Sequence, residues 1–405
     1  MQARLPFVVI IFTVVLDSMG IGLILPVMPA LLAELGDVTV SQAARWGGFL
    51  ALSYAVMQFL MGPLLGNLSD AYGRRPVLLG SLLAMGIDYL VMASASTLWL
   101  LFVTRIVAGI AGATYSTASA YLADISKPED RAANFGLVGA SFGIGFIFGP
   151  AIGGMLGEFG TRAPFVAAAL LSFANMALGL FVLKESLPPE TRRPFSWRGS
   201  NPFRALLRVR HLPLIRGLVV IYLVEVTATN VYPAVWAYYT QERFGWSVGM
   251  VGLSLAAYGV CVAVVQGGLI RVILSRLREY RTALFGMSCS LVGLLTLSGL
   301  SAGWAIFALM PLLALSAVTE PALSGMASNR VGDDEQGALQ GILASVGAVG
   351  TLIALPLMTQ LFAGFTGPSA PVYFPGAPFF VSALMTIVGL SLLLRSRAKG
   401  TIDAP

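Results

Sequence analysis

Gly66-Asn67-Leu68-Ser69-Asp70-Ala71-Tyr72-Gly73-Arg74-Arg75-Pro76 is a polar hinge between two long apolar runs, at about residues 45 to 66 and 77 to 95. Glycines allow a tight turn there, while an acid and two arginines are costly in hydrocarbon and at home at a membrane surface. Each flanking run is about 20 residues long, enough to cross a hydrocarbon core of roughly 30 Å at 1.5 Å per residue. The same alternation runs through all 405 residues, of which 57% are hydrophobic and only 11% charged. A soluble domain carries about 25% charged residues, so this composition belongs in lipid. Gly and Ala are frequent within the runs, which marks them as helices rather than barrel strands.

Twelve spans are predicted: about residues 5 to 33, 45 to 66, 77 to 95, 98 to 123, 132 to 157, 164 to 184, 213 to 240, 247 to 271, 281 to 300, 303 to 327, 336 to 363 and 376 to 395. The first follows Arg4 as a signal peptide would, but it carries Asp17, Pro26 and Pro29 and lacks a small-residue cleavage site, so it is read as a span. The expected fold is an all-α membrane protein of twelve transmembrane helices. With the N-terminus inside, all but four of the 25 Lys and Arg fall on the cytoplasmic side. The exceptions are Arg45, Arg162 and Arg243 in outer loops and Arg105 within a span. This asymmetry predicts both termini in the cytoplasm. The net charge of +6 is therefore a topology signal and calls for no nucleic-acid partner.

The longest loop, residues 185 to 212, carries Pro188, Pro189, Arg192, Arg193, Pro194, Trp197 and Arg198 and separates six spans from six. It divides the chain into an N-terminal six-helix bundle (1–184), a basic interfacial linker (185–212) and a C-terminal six-helix bundle (213–405). Two pseudo-symmetric halves predict a substrate path between them near the bilayer midplane. The loop after the eighth span, Gly268 to Glu279, repeats the basic end of the Gly66–Pro76 loop and loses its acid.

Five acidic or basic residues lie deep inside the spans, away from their ends: Asp17, Asp88, Arg105, Glu225 and Glu320. Such residues are costly in a bilayer and mark functional positions. Counting helical rise places Asp17, Asp88 and Arg105 in one layer, in the outer half of the N-terminal bundle, and Glu225 and Glu320 near the midplane of the other. An arginine beside two acids can keep one ionised while the other, desolvated, exchanges protons. Asp17, Asp88 and Arg105 are thus the expected proton-coupling group, and Glu225 and Glu320 are candidates for binding a cation. Cys261 and Cys289 sit within spans without paired spacing and are read as packing residues. No metal site is expected.

The Gly66–Pro76 hinge resembles the signature loop of the major facilitator superfamily, and Gly145-Phe146-Ile147-Phe148-Gly149-Pro150-Ala151-Ile152-Gly153-Gly154 resembles that superfamily's antiporter motif. Within it the chain is most similar to the bacterial tetracycline/proton antiporters. That likeness is carried by Asp17 to Pro26, Gly73 to Leu79, Asp88-Tyr89-Leu90, Gly139 to Gly143, Arg243 to Trp246 and Gln336 to Gly341. The resemblance implies the major facilitator fold and a monomeric inner-membrane exporter that exchanges a small-molecule drug for protons. Its driving force would be the proton gradient, without a cofactor, and a divalent cation could travel with a chelating substrate. The first motif is expected to act as a latch: Gly66 and Gly73 turn the chain, Asp70 pairs with cations, and Arg74 and Arg75 grip carboxylates on neighbouring ends. In the second, Gly145, Gly149, Gly153 and Gly154 permit close packing, and Pro150 can bend the span. The superfamily's cavity is lined by its helices 1, 4, 7 and 10, which here carry Asp17, Arg105, Glu225 and Glu320. Pro321 is expected to open the tenth span beside Glu320.

Tyr54, Gln58, Tyr115, Phe142, Asn230, Tyr232, Trp236, Tyr258 and Gln340 sit at depths where they could stack on or hydrogen-bond a flat drug. The chain also departs from the tetracycline pattern. Its one histidine, His211, lies in the central loop, and helix 9 around Gly286–Ser290 has no aspartate. An exporter of another drug or metabolite is the alternative these departures leave open. An ATP-driven pump would need a Gly-x-x-x-x-Gly-Lys-Ser/Thr loop, which the sequence does not contain. A membrane metalloenzyme would need ligand clusters that one loop histidine cannot supply, and a scaffold would not need five buried ionisable groups.

Overall fold

Prolines and glycines decide where the spans break. The computed structural model describes residues 4–209, 213–332 and 335–398, so His211 lies outside the described residues. Among them there are helices and connecting turns, with no strand. Eleven helical segments are long and apolar enough to cross a membrane. One of them, Val248–Gly299, is 52 residues long, or about 78 Å at 1.5 Å per residue, and holds both the eighth and ninth expected spans. They are joined through a π turn at Val265–Leu269 and a sharp turn at Arg278, whose φ of 57° and ψ of 171° leave the helical region. The difference from twelve separate spans is thus a connection that stays helical almost throughout.

Four spans are interrupted. The first consists of Arg4–Ile24 and Met28–Gly36, parted at residues 25–27. The fourth consists of Leu98–Ala111 and Thr114–Ile125, the seventh of Arg216–Thr229 and Val231–Phe244. In the tenth, Trp304–Leu315 and Thr319–Ser328 flank a tighter 3₁₀ turn at Ser316–Val318. Proline has no N–H for the carbonyl four residues earlier, so Pro29, Pro233 and Pro321 explain the breaks near residues 25, 229 and 317. Gly112 takes φ −73° and ψ 64° at the fourth break. The tenth span therefore departs from the α-helix beside Glu320, as a tightened turn just before it rather than an unwound one. These four spans are the ones that carry Asp17, Arg105, Glu225 and Glu320.

The other spans are continuous: Val40–Tyr72, Arg74–Ser94, Arg131–Gly157, Ala163–Val182, Gln336–Thr366 and Ala377–Ala398. Pro150 lies inside Arg131–Gly157 without ending it. The chain forms two compact units. One contains residues up to Thr39, Leu50–Asn201 and Trp246–Ala256; the other contains Val40–Phe49, Pro202–Gly245 and residues from Ala257 onward. The core of the first gathers Ile10, Val14, Leu78, Leu82, Tyr121 and Leu122, and that of the second Ile221, Met287, Leu323, Leu339, Val346 and Leu393.

The antiporter-motif glycines form a packing face. Gly145, Gly149 and Gly153 recur every four residues and meet the backbone of Val15–Leu23 in the first span, while Gly22 packs on Pro150. Gly154 turns the other way, onto Gly249 and Gly252. Without side chains the backbones approach closely, which supplies the dispersion and weak hydrogen-bond contacts that associate helices in lipid.

Candidate functional site

In the Gly66–Pro76 hinge, Gly73 takes φ 109°, a conformation only glycine adopts freely, and ends its loop as the N-cap of Arg74–Ser94. The uncapped N–H groups of that helix are taken by Glu185: Oε1 accepts from Arg74 N at 2.8 Å and Oε2 from Arg75 N at 3.3 Å. A carboxylate at a helix N-terminus also meets the positive end of the helix dipole. The Arg74 guanidinium bridges Asp70 at 2.5 Å and Asp124 at 3.1 Å, and donates to Ser69 Oγ at 3.2 Å. Arg75 does not grip a carboxylate with its side chain; Nη2 donates to the Leu180 carbonyl at 2.7 Å. The linker is tied down here as well, since Asn67 Nδ2 donates to Ser196 O at 2.6 Å and Arg193 N to Asp70 O at 3.2 Å. Gly66 faces open space. No motif marks Asp124 or Glu185; for Glu185 the available signal is an acid two residues beyond the end of an apolar run, after Lys184.

Within the first unit a cavity of about 460 Å³ opens among five spans, within the size range of small-molecule sites. Asp17 and Ile21 line it from the first span, Tyr54 and Gln58 from the second and Met85 from the third. Gly112, Thr114 and Tyr115 come from the break in the fourth, Gly139 and Phe142 from the fifth. The pairs 17/21 and 54/58 are four residues apart, which places each on one helix face. Gln58 Nε2 donates to Tyr54 Oη at 3.3 Å and reaches the Gly112 carbonyl, freed by the break, at 3.5 Å. Tyr115 meets Phe142 edge-on at 5.7 Å, and Phe142 stacks on Phe146 at 6.1 Å.

Arg105 pairs with Asp88, Nη2 to Oδ2, and both are buried. Its guanidinium also lies over the Tyr54 ring, 5.5 Å from the centroid. Asp88 Oδ1 and Arg105 Nε are buried without hydrogen-bond partners. Of the acids in this layer, one is neutralised behind the cavity wall while Asp17 lines the cavity. The structure thus brings Asp17, Tyr54, Gln58, Tyr115 and Phe142 to one place and reaches Arg105 and Asp88 through Tyr54. Thr114, Met85, Ile21, Gly112 and Gly139 were missed; Thr114 opens a helix after a glycine, a turn signal that pattern alone does not aim inward.

The remaining candidates belong to the second unit. Tyr222 Oη donates to Glu320 Oε1 at 2.6 Å, and Glu225 is 4% exposed. Asn230 Nδ2 donates back to Val226 O at 2.8 Å, and Thr351 Oγ1 donates to Asn230 Oδ1 at 3.4 Å. Tyr232 lies 6.3 Å from Trp236 and stacks with Tyr258 at 6.1 Å, while Trp236 meets Phe379 edge-on at 6.5 Å. Gln340 is exposed on Gln336–Thr366.

A helical bundle of membrane spans, four of them interrupted, with an acidic, partly aromatic cavity in its first unit, has the construction of a polytopic small-molecule transporter. The sequence model of the Major Facilitator Superfamily matches residues 10–354 and 227–404. The chain belongs to the major facilitator superfamily. It is 41% identical to a tetracycline resistance protein, class C, of Escherichia coli, over 99% of this chain and 100% of that one. To the class G protein of Vibrio anguillarum it is 40% identical, over 98% of each. Among solved structures it resembles a bacterial homologue of the human lysosomal transporter Spinster, with a TM-score of 0.79 and 13% identity, covering 100% of this chain and 99% of the other.

Proposed function

We propose that the chain exports a drug of the tetracycline class across the bacterial inner membrane in exchange for protons, by alternating access, with both termini in the cytoplasm. The observation that carries this reading is Asp17 on the wall of a cavity whose other side chains offer aromatic faces, a phenol and an amide. Full-length similarity to tetracycline resistance proteins supplies the substrate class. Asp88, held by Arg105, is the fixed anion, and Asp17 is the acid that trades a proton for drug. A divalent cation riding on a chelating substrate would face Asp17. Glu320, exposed and hydrogen-bonded to Tyr222, would meet the cationic part of a substrate. The chain is read as acting as a monomer in lipid, with drug and protons as its partners.

The absence of a helix 9 aspartate, with Glu225 and Glu320 present instead, favours a second reading, in which a different drug or metabolite is exported. A resistance panel in an efflux-deficient bacterium separates the two. Protection restricted to tetracyclines supports the first reading; protection against other drugs only, or against none, would sink it.

A further inference from the structure

Glu225 is the intramembrane acid to which the reading above gives no task. It is 4% exposed, and both of its carboxylate oxygens are buried without a hydrogen-bond partner. A carboxylate charge in such surroundings has nothing to repay its lost hydration, whereas a neutral carboxylic acid gives up much less.

The titratable neighbours on each packed element supply no counter-charge. On its own span, Arg216 stands nine residues earlier, about 14 Å down the helix, Tyr222 is three residues earlier and gives its hydroxyl to Glu320, and Tyr232 lies beyond the Asn230 break with its own hydroxyl unpartnered. The tenth span brings another acid, Glu320. The eleventh, Gln336–Thr366, contains no titratable residue. The twelfth brings Arg395 and Arg397 in its last turn. It runs alongside with Gly389 at Val224 and Ser396 at Gly217, so those arginines sit about 12 Å down the seventh span from Glu225. Arg397 is engaged over the Tyr280 ring at 4.7 Å.

A metal ion would need several oxygen ligands together, and among the described residues no group of three His, Cys, Asp or Glu gathers. A proton needs one lone pair. We propose that Glu225 is a proton-binding site of the second unit, separate from Asp17 in the first. It holds a proton in the conformation seen here and releases it to water, leaving a carboxylate, when the seventh span becomes wetted during the cycle. This inference rests on the proton exchange proposed above and adds a second proton to each cycle.

The test has two arms, both on the full chain. Infrared spectroscopy of purified protein, with no drug present, reads the carbonyl stretch of protonated carboxyls at neutral pH; a band in the wild type should be missing in Glu225→Gln and kept in Glu225→Asp. Proteoliposomes with collapsed membrane potential then read the tetracycline ratio held by a one-unit pH gradient. Two protons per drug sustain a ratio of about 100-fold and one proton about tenfold, so Glu225→Gln should lose about tenfold. Gln copies the neutral acid in shape, so the variant should fold. An unchanged infrared band overturns the proposal, and so does a lost band with an unchanged ratio. If the wild type moves no tetracycline at all, the substrate reading fails instead, and the infrared arm still decides whether Glu225 carries a proton.

Discussion

At the scale of single residues, the Asp88–Arg105 pair carries the largest electrostatic stake in the first unit. Each partner is almost out of reach of solvent, and each keeps one atom without a hydrogen bond, so the pair depends on mutual attraction and on the Tyr54 ring. Removing one member of a buried pair strands the other charge, at a cost of about 3–5 kcal/mol. Arg105→Ala should therefore lower the thermal midpoint of the detergent-purified protein markedly, and Arg105→Lys should recover only part of the loss because an ammonium lacks the planar fork. A melting curve for Arg105→Ala that overlays the wild type would show that Asp88 finds another way to be neutral. Gly73 is a different kind of fixed point. Its φ of 109° is glycine territory, and a Cβ there would collide with the Glu185 carboxylate that caps the third span.

At the scale of elements, the fifth span holds to the first through glycine. A Cβ on Gly149 would lie 2.6 Å from the Met19 carbonyl and 2.9 Å from the Gly22 Cα, both backbone atoms that cannot swing aside. Overpacking of this kind costs about 1–3 kcal/mol. Gly149→Ala should thus destabilise the protein in a thermal melt, whereas Gly143→Ala, with nothing within 4 Å of its added methyl, should be tolerated; equal melts for the two would remove the special standing of the motif face. The short helix Met28–Gly36 is clasped from outside. Thr161 Oγ1 donates to Glu34 Oε2 at 2.6 Å, and Arg162 Nη2 reaches Oε1 at 3.3 Å while its Nη1 holds the Ala93 and Ala95 carbonyls. The Thr161 hydroxyl first, and then Arg162, hold the Glu34 carboxyl below its ordinary range. A carboxyl depressed in the folded state adds stability above its unfolded value, and that contribution is lost as pH falls through the folded one. Glu34→Gln should flatten the acid side of a melting-temperature profile, by an amount within about 1 kcal/mol because the pair is largely exposed. An unaltered acid limb in that variant would mean the clasp contributes nothing.

At the scale of the whole molecule, the all-helical membrane fold was legible because run length and charge are set by the bilayer itself, residue by residue. Which helix face points where was not. Helical rise places Asp17, Asp88 and Arg105 in one layer, but the choice of Asp88 as Arg105's partner depends on helix rotation, and Glu185 reaches Arg74 from 111 residues away. Such pairings are made by packing and leave no local pattern. The rotation matters for coupling, because it leaves Asp17 at the cavity where a drug would sit. If drug and proton compete there, Asp17→Asn should abolish export against a gradient in proteoliposomes with an imposed pH difference, while downhill exchange persists through the intact cavity. Glu225 cannot rescue coupling in that variant, since a carrier whose cavity no longer chooses between drug and proton returns loaded or empty alike. Glu225→Gln, in contrast, should keep uphill export and hold a smaller drug ratio, so the two lesions differ in kind. Should Asp17→Asn and Asp88→Asn both retain full gradient-driven export, the exchange of drug for proton lies outside the first unit, and Glu225 or Glu320 carries it.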